Sequence, residues 1–423
     1  MEEFDKVIGY DSVKLEVARI CDVLKNTEKY KKLGVEVPNG LLLHGAPGVG
    51  KTLMASCFIK ACGRKVFTCR KNLPNGEFVK AIKECFENAK KETPSIVFLD
   101  DFDKFSDGGS RNSSEYVTIQ SCIDDVKGHD IFVLATANDI LVLPDSLLRA
   151  GRFDVVIEIK RPRGKDAEKI IKHYIDQKSF VGDINIRCLA RLLNGNSCAE
   201  LETVINQAGI YAGFENKEKI SYDHIIRACI REIYEAPATI KNFDERDDED
   251  VAYHEAGHAV IAELLEPGSV TMISIGKYEG GVQGFTAYYR DEEYWHSVER
   301  MKNRIMCLLA GRCATEIKYG VIDTGCSLDI DRALDVIKRI VGEYGGCGFG
   351  SIDISGGLRM SQNTNFGQEI VIKNELHNYY QKVREMLVKN REFLDAVAVK
   401  LKEKKLLVEG DVKEIRESVK IVK

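Results

Sequence analysis

Residues 39–52 read NGLLLHGAPGVGKT. An apolar run of strand type leads directly into Gly45-x-x-x-x-Gly50-Lys51-Thr52, and a helical stretch follows at once. In that setting Gly45, Ala46, Pro47, Gly48, Val49 and Gly50 form a loop whose glycines let backbone N–H groups turn toward phosphate oxygens at a helix N-terminus. Lys51 supplies a cation to the outer phosphates and Thr52 a hydroxyl to Mg2+. The plainer alternative is a glycine turn before a helix, which the strand–loop–helix order makes the weaker reading.

Outward from this loop the same alternation continues. GLLLHG, SIVFLDD and IFVLATAN are short apolar runs separated by helical text such as EFVKAIKECFENAKK, the pattern of a parallel sheet with crossover helices, and it ends near Pro162. SIVFLDDFD delivers Asp100 and Asp101 at a strand's carboxyl end, where a metal-holding acid stands beside such a loop, and Asp100 is the expected Mg2+ ligand. LATAND brings Asn138 to another strand end, and LLRAGRFD carries Arg149 and Arg152. An arginine aimed at a neighbour's γ-phosphate would stabilise transition-state charge, although spacing alone describes two surface arginines equally well.

Residues 165–235 read as successive helices, from DAEKIIKHYI to CAELETVINQAGIYAG. EAPATIKNFDERDDED, residues 235–250, combines a proline with seven acidic groups and no apolar periodicity, so it reads as a solvated connection. Beyond it, 251–423 is mostly helical by periodicity, apart from a β-like run near GGVQGFTAYYR and a glycine-rich passage, GEYGGCGFGSIDISGG.

This last part opens with VAYHEAGHAV. On a helix, His254 and His258 share one face and reach one metal ion, with Glu255 close enough to handle bound water. Zn2+ at such a site lowers the pKa of its water and polarises a scissile carbonyl, while the glutamate moves the proton. A catalytic zinc needs a third protein ligand. Leu264 stands where the extended His-Glu-x-x-His pattern would place a third histidine, so that pattern fails. Glu279, Glu316, Asp323, Asp329 and Asp331 all lie downstream, and spacing does not choose among them.

Composition narrows the class. The chain has 423 residues, enough for two or three domains, with 44% hydrophobic and 30% charged residues. A net charge of −5 argues against a general nucleic-acid binder. Thirteen cysteines, scattered from Cys21 to Cys347 with no Cys-x-x-Cys, suit reduced thiols rather than a disulfide scaffold. No uninterrupted apolar run reaches about 18 residues, so no membrane span is expected.

Taken together, the residues resemble the cytosolic portion of the FtsH family of AAA+ ATP-dependent zinc metalloproteases, over essentially the whole chain. The resemblance rests on the ordered occurrence of the phosphate loop, IVFLDD, Asn138, RAGRFD, GNSCAELETVINQA, YHEAGHAV and DTGCSLDI. It implies an α/β P-loop AAA+ ATPase domain (1–164), a helical lid (165–240) and a mainly α-helical zinc metallopeptidase domain (241–423). It implies ATP, Mg2+ and Zn2+ as cofactors, Asn138 as the nucleotide sensor, and Arg149 and Arg152 as fingers acting on a neighbour's nucleotide in a homohexamer. It assigns Asp329 as third zinc ligand, leaving Glu316 as fallback, and it implies protein or peptide substrates pulled into a protease chamber.

Three departures accompany the resemblance. Members of the family begin with membrane-spanning segments, whereas this text starts at the ATPase domain; the expectation is a cytoplasmic protein, membrane-attached only if the sequence is part of a longer one. The family's Asp-Glu is Asp100-Asp101 here, and the shorter carboxylate is expected to slow ATP hydrolysis. The family's pore loop carries aromatic–Val–Gly, against Pro74-Asn75-Gly76 here, with Phe78 a substitute only if the loop is re-registered. The leading expectation is therefore an ATP-dependent zinc endopeptidase. The alternatives are a zinc peptidase whose weakened ATPase ring only assembles or gates it, and a non-proteolytic ATP-binding scaffold.

Overall fold

The computed structural model describes residues 2–106, 111, 113–182, 184–235, 245–276, 283–289, 297–322, 324–347 and 362–422. Two compact units make up the chain, Met1–Ile233 and Tyr234–Lys423.

In the first unit, helices α1 (Asp11–Lys25) and α2 (Thr27–Lys32) precede a parallel sheet in the order β2-β3-β4-β1-β5. Its strands are β1 (Gly40–His44), β2 (Lys65–Cys69), β3 (Ser95–Leu99), β4 (Ile131–Ala137) and β5 (Val155–Glu158), with crossover helices α3 (Lys51–Cys62), α4 (Asn75–Lys91) and α5 (Ser114–Asp125). Leu41, Leu42 and Leu43 are all fully buried, because a parallel strand covered on both faces carries an unbroken apolar run. Alternation assigns the faces: Leu42, Val97 and Val133 pack with Phe78, Ile82 and Phe86 of α4 and Ile119 of α5, while Phe132 meets Phe58 of α3. The register fixes what stands side by side beyond the strands. Cys69 pairs with Leu99 and Leu99 with Ala135, so the next residues, Arg70, Asp100 and Thr136, fall in one row.

Phe78 is 1% exposed and meets the Phe105 ring edge-on at 4.9 Å, so it cannot serve in the loop before α4. Withdrawing it from that core would cost about 3–5 kcal/mol. That removes the re-registered loop as a source of an aromatic grip. The partly exposed large apolar residue there is Leu73.

Helices α6 (Gly164–Asp176), α7 (Ile186–Leu192), α8 (Cys198–Phe214) and α9 (Tyr222–Glu232) complete the first unit. Ser197 caps α8, accepting from the Glu200 amide at 3.3 Å, while the Glu200 carboxylate accepts from the Ser197 amide at 2.6 Å. The amide of Ala199 donates to the carbonyl of Gly48 at 3.1 Å, which ties this helical segment to the phosphate loop.

The second unit contains α10 (Glu245–Leu265), β6 (Val270–Ile275), β7 (Gly284–Tyr288), α11 (Val298–Tyr319), α12 (Ser327–Gly342), α13 (Gln362–Lys389), α14 (Arg391–Lys404), β8 (Leu406–Val408) and α15 (Glu409–Ser418). A three-stranded antiparallel sheet, β7-β6-β8, accompanies the helices; β7 lies in the run read as β-like, whereas β6 and β8 fall in text read as helical.

The acidic stretch read as a solvated connection is helical from Glu245 onward. Asp248 pairs with Lys405 at 2.5 Å, and Glu249 with Lys402 at 2.9 Å and Lys318 at 3.7 Å. Acids near a helix N-terminus, matched to lysines far along the chain, replace the solvent contact that local sequence suggests. Among the described residues no helix is long and apolar enough to cross a membrane.

Candidate functional site

The first candidate site lies at the carboxyl edge of the parallel sheet, where β1, β3 and β4 deliver their following residues. Gly45, Gly48 and Gly50 have φ of 145°, 77° and 93°, the positive values a phosphate loop needs to turn its amides inward. Lys51 is 7% exposed and its ammonium donates at 2.8 Å to each of three acceptors: the carbonyls of Gly45 and Ala46 and Oδ1 of Asn138. Burial pulls the Lys51 pKa below the ordinary lysine value, against the opposing pull of Asp103, Asp101 and Asp100. Asn138 is held by its own amide donating to Asp103 Oδ1 at 3.0 Å, a partner that reading by motif missed.

A cavity of about 530 Å³ is lined by Pro47, Gly48, Val49, Gly50, Lys51, Thr52, Asp101 and Asn138, together with Tyr10, His173, Tyr174 and Cys198. Thr52 is exposed at the start of α3, and Asp100 is buried beside Thr136, whose hydroxyl donates to Asp100 Oδ1 at 2.7 Å. The hydroxyl and the carboxylate are oxygen donors suited to a magnesium ion. Asp101 has φ 56° and accepts from Lys104 at 2.9 Å. Arg149 is exposed. Arg152 lies against Asp124, Nη2 donating to Oδ2 at 2.7 Å and Nε to Oδ1 at 3.3 Å, and its Nη1 donates to the Ser146 carbonyl at 2.6 Å.

The second candidate site lies between α10, α11 and the first turn of α12. His254 Nε2 and His258 Nε2 are 3.0 Å apart, and Asp329 Oδ2 lies 3.3 Å from the first and 3.2 Å from the second. Three ligands on a tetrahedral ion with bonds near 2.0 Å stand about 3.3 Å from one another, so these atoms match the donor set and the spacing of zinc. Gly311 of α11 supplies the room. A Cβ added there would lie 2.5 Å from both Nε2 atoms, and one added to Gly257 would lie 2.5 Å from the carbonyl oxygen of Ala310. Each helix thus carries a glycine where the other must come close.

His258 Nδ1 donates to the carbonyl of Cys307 at 2.7 Å, which fixes the tautomer and leaves Nε2 available to a metal ion. Burial alone would lower the pKa of His258, but the hydrogen bond to Asp329 and the charges of Glu255 and Asp329 outweigh it and push it up to about 9. For Asp329, burial raises the pKa, and the two imidazoles more than offset this, holding the carboxyl well below the usual range. A cation is what this cluster attracts, a proton or a metal ion.

Of the other acids considered as ligands, Glu316 is engaged elsewhere, accepting from Tyr380 and lying 3.8 Å from Arg384. Asp331 is exposed on α12, and Glu279 and Asp323 lie outside the described residues.

Glu255 is 6% exposed, one residue from the first histidine, and its Oε2 accepts from the Thr286 hydroxyl of β7 at 2.7 Å. Sequence reading missed Thr286, Gly311 and the Cys307 carbonyl. Only Gly311 left a signal, a glycine inside a helical run. Thr286 thus fixes one carboxylate oxygen of Glu255, the residue expected from the sequence to handle bound water. Thr286→Val is expected to lower peptide hydrolysis about tenfold, by loosening the Glu255 carboxylate, with zinc content unchanged. Measured rates equal to wild type would remove Thr286 from that role.

Residues 41–161 match the family described as ATPase family associated with various cellular activities (AAA), and residues 241–415 match Peptidase family M41. The chain is similar to the ATP-dependent zinc metalloprotease FtsH of Helicobacter pylori, 30% identical over 97% of this chain and 70% of that protein. It is also similar to FtsH 2 of a Thermoanaerobacter species, 31% identical over 98% of this chain and 82% of that protein. With FtsH 2 of Sphaerobacter thermophilus the identity is 32%, over 85% and 57% respectively.

Proposed function

The chain belongs to the FtsH family of ATP-dependent zinc metalloproteases, and from that membership we propose how its residues divide the work. It is an ATP-dependent zinc metalloprotease, with the AAA nucleotide-binding unit ahead of the peptidase in one chain. In the proposed division, 1–164 binds nucleotide, 165–240 is its lid and 241–423 is the peptidase. The observation that carries the reading is the convergence of His254, His258 and Asp329 around the space left by Gly311, with Glu255 alongside.

His254, His258 and Asp329 are the zinc ligands. Bound zinc lowers the pKa of water and polarises a scissile carbonyl. Glu255 accepts a proton at Oε1 from the attacking water while Thr286 holds Oε2, then returns it to the leaving amine nitrogen. The Cys307 carbonyl keeps His258 in the tautomer that binds metal.

In the nucleotide site, the loop Gly45–Gly50 receives the phosphates of ATP, Lys51 leaves its carbonyl partners for the outer phosphates, and Asn138 reports on them. Thr52 and Asp100 hold Mg2+. Asp101 orients the attacking water, with a carboxylate one methylene shorter than the family's glutamate and already engaged by Lys104. Asp101→Glu is expected to raise the ATPase rate several-fold, by extending that carboxylate. An unchanged rate would acquit Asp101 of slowing the enzyme.

Protein or peptide substrates and a ring of six copies complete the proposal. In the ring, exposed Arg149 meets a neighbour's nucleotide, and Arg152 does so on leaving Asp124. A reducing, cytoplasmic compartment suits thirteen scattered cysteines.

The zinc half of the reading is tested by elemental analysis and casein cleavage together. One zinc per chain, and cleavage abolished by chelator and restored by zinc, is the expected result. Active protein without zinc would sink it.

A further inference from the structure

Asp100 is more fully engaged than a carboxylate waiting for a metal ion needs to be. It is 1% exposed, and both of its oxygens have partners: Oδ1 accepts from Thr136 and Oδ2 is paired with the guanidinium of Arg70. The pairing follows from the backbone, since Cys69 and Leu99 are register partners and Arg70 and Asp100 are the residues that follow them. The Asp100 amide also donates to the Cys69 carbonyl at 3.1 Å, which holds the two strand ends together at this point.

A buried carboxylate without a counter-charge is costly, and a guanidinium supplies one. The two ends of the pair differ in surroundings. The Asp100 side chain is 2% exposed and that of Arg70 is 61% exposed, so the arginine can withdraw into solvent without opening a cavity. A magnesium ion arriving with a nucleotide seeks the same carboxylate that Arg70 holds.

Resting on the reading of this pocket as a nucleotide site, we propose that Arg70 is the resident counter-ion of Asp100 and competes there with the divalent cation. Arg70 is then a positioning residue. It keeps Asp100 from repelling the triphosphate when no magnesium is present, and it makes magnesium work against an existing ion pair when it binds. Nucleotide affinity in this chain therefore depends weakly on magnesium, and the dependence is set by one side chain.

The test is the affinity of the full-length protein for a fluorescent ATP analogue, followed by anisotropy, in EDTA and across a MgCl2 titration. Wild type is expected to gain no more than about threefold in affinity from saturating magnesium. Arg70→Ser is expected to bind about tenfold more weakly than wild type in EDTA and to match it at saturating magnesium, so that its gain is about tenfold larger. Arg70→Lys, which keeps a cation, should stay within about threefold of wild type throughout. A purely structural role for Arg70 would weaken binding equally with and without magnesium, and that result overturns the proposal. Equal magnesium gains in wild type and Arg70→Ser overturn it as well. No nucleotide bound by either protein would remove the nucleotide site itself, and the proposal with it.

Discussion

Gly311→Ala will leave a folded protein that holds no zinc and cleaves no peptide. The added methyl carbon would stand 2.5 Å from Nε2 of His254 and 2.5 Å from Nε2 of His258, in the space their lone pairs face. Altering a group that merely orients a zinc ligand costs about 10- to 100-fold in affinity. A carbon among the donors excludes the ion itself or forces α11 away from α10, so the loss should be at least about a hundredfold. ATPase activity serves as the folding control, because Gly311 is in the second unit and the nucleotide site in the first. Elemental analysis and a fluorogenic peptide read the outcome; a full complement of zinc with wild-type cleavage would contradict the site described here.

Glu255→Gln will separate metal binding from catalysis. Its side chain is buried and held by Thr286, and it is not among the three donor atoms, so the amide should fit with zinc retained. Glutamine cannot accept the proton of the attacking water, and loss of a general base costs about 10²- to 10⁴-fold. Casein cleavage should fall by that amount, with zinc content and ATPase rate unchanged. A variant that still cleaves within about threefold of wild type would assign the proton transfer to another group.

The candidate nucleotide site is legible in the sequence because its signal is local. The run from Gly40 to Thr52 holds strand, loop and helix start in sequence, and each residue type acts through its own backbone or side chain. The histidines and Glu255 were readable for the same reason, through helical spacing. Asp329 was not, because it lies 71 positions beyond His258 and only the packing of α12 brings it close; the family resemblance named it where spacing could not. Thr286 and the Cys307 carbonyl act across strands and helices that no local pattern relates. Arg70 had no motif at all, and its position depends on the register of β2 against β3.

The errors in the secondary structure have equally specific causes. β8 spans Leu406–Val408, too short for any alternation to register, and it gains its place only by pairing with β6. The acids before Val251 carry a loop-like composition, yet Lys318, Lys402 and Lys405 neutralise Asp248 and Glu249 on a helix. Phe78 belongs to an aromatic cluster with Phe105 and Phe102, and only that tertiary contact excludes it from the loop.

What joins the two units into one machine is the dependence of proteolysis on nucleotide. It is measured by following fluorescent casein with wild type and Lys51→Ala, both shown to hold equal zinc, in the presence and absence of ATP. Lys51 is the ammonium that the Gly45 and Ala46 carbonyls and Asn138 hold in the phosphate loop. Wild type should degrade casein only with ATP, and Lys51→Ala should do so at least about tenfold more slowly while still cleaving a short peptide. Equal rates of casein degradation by the two proteins, with or without ATP, would contradict an ATP-driven protease.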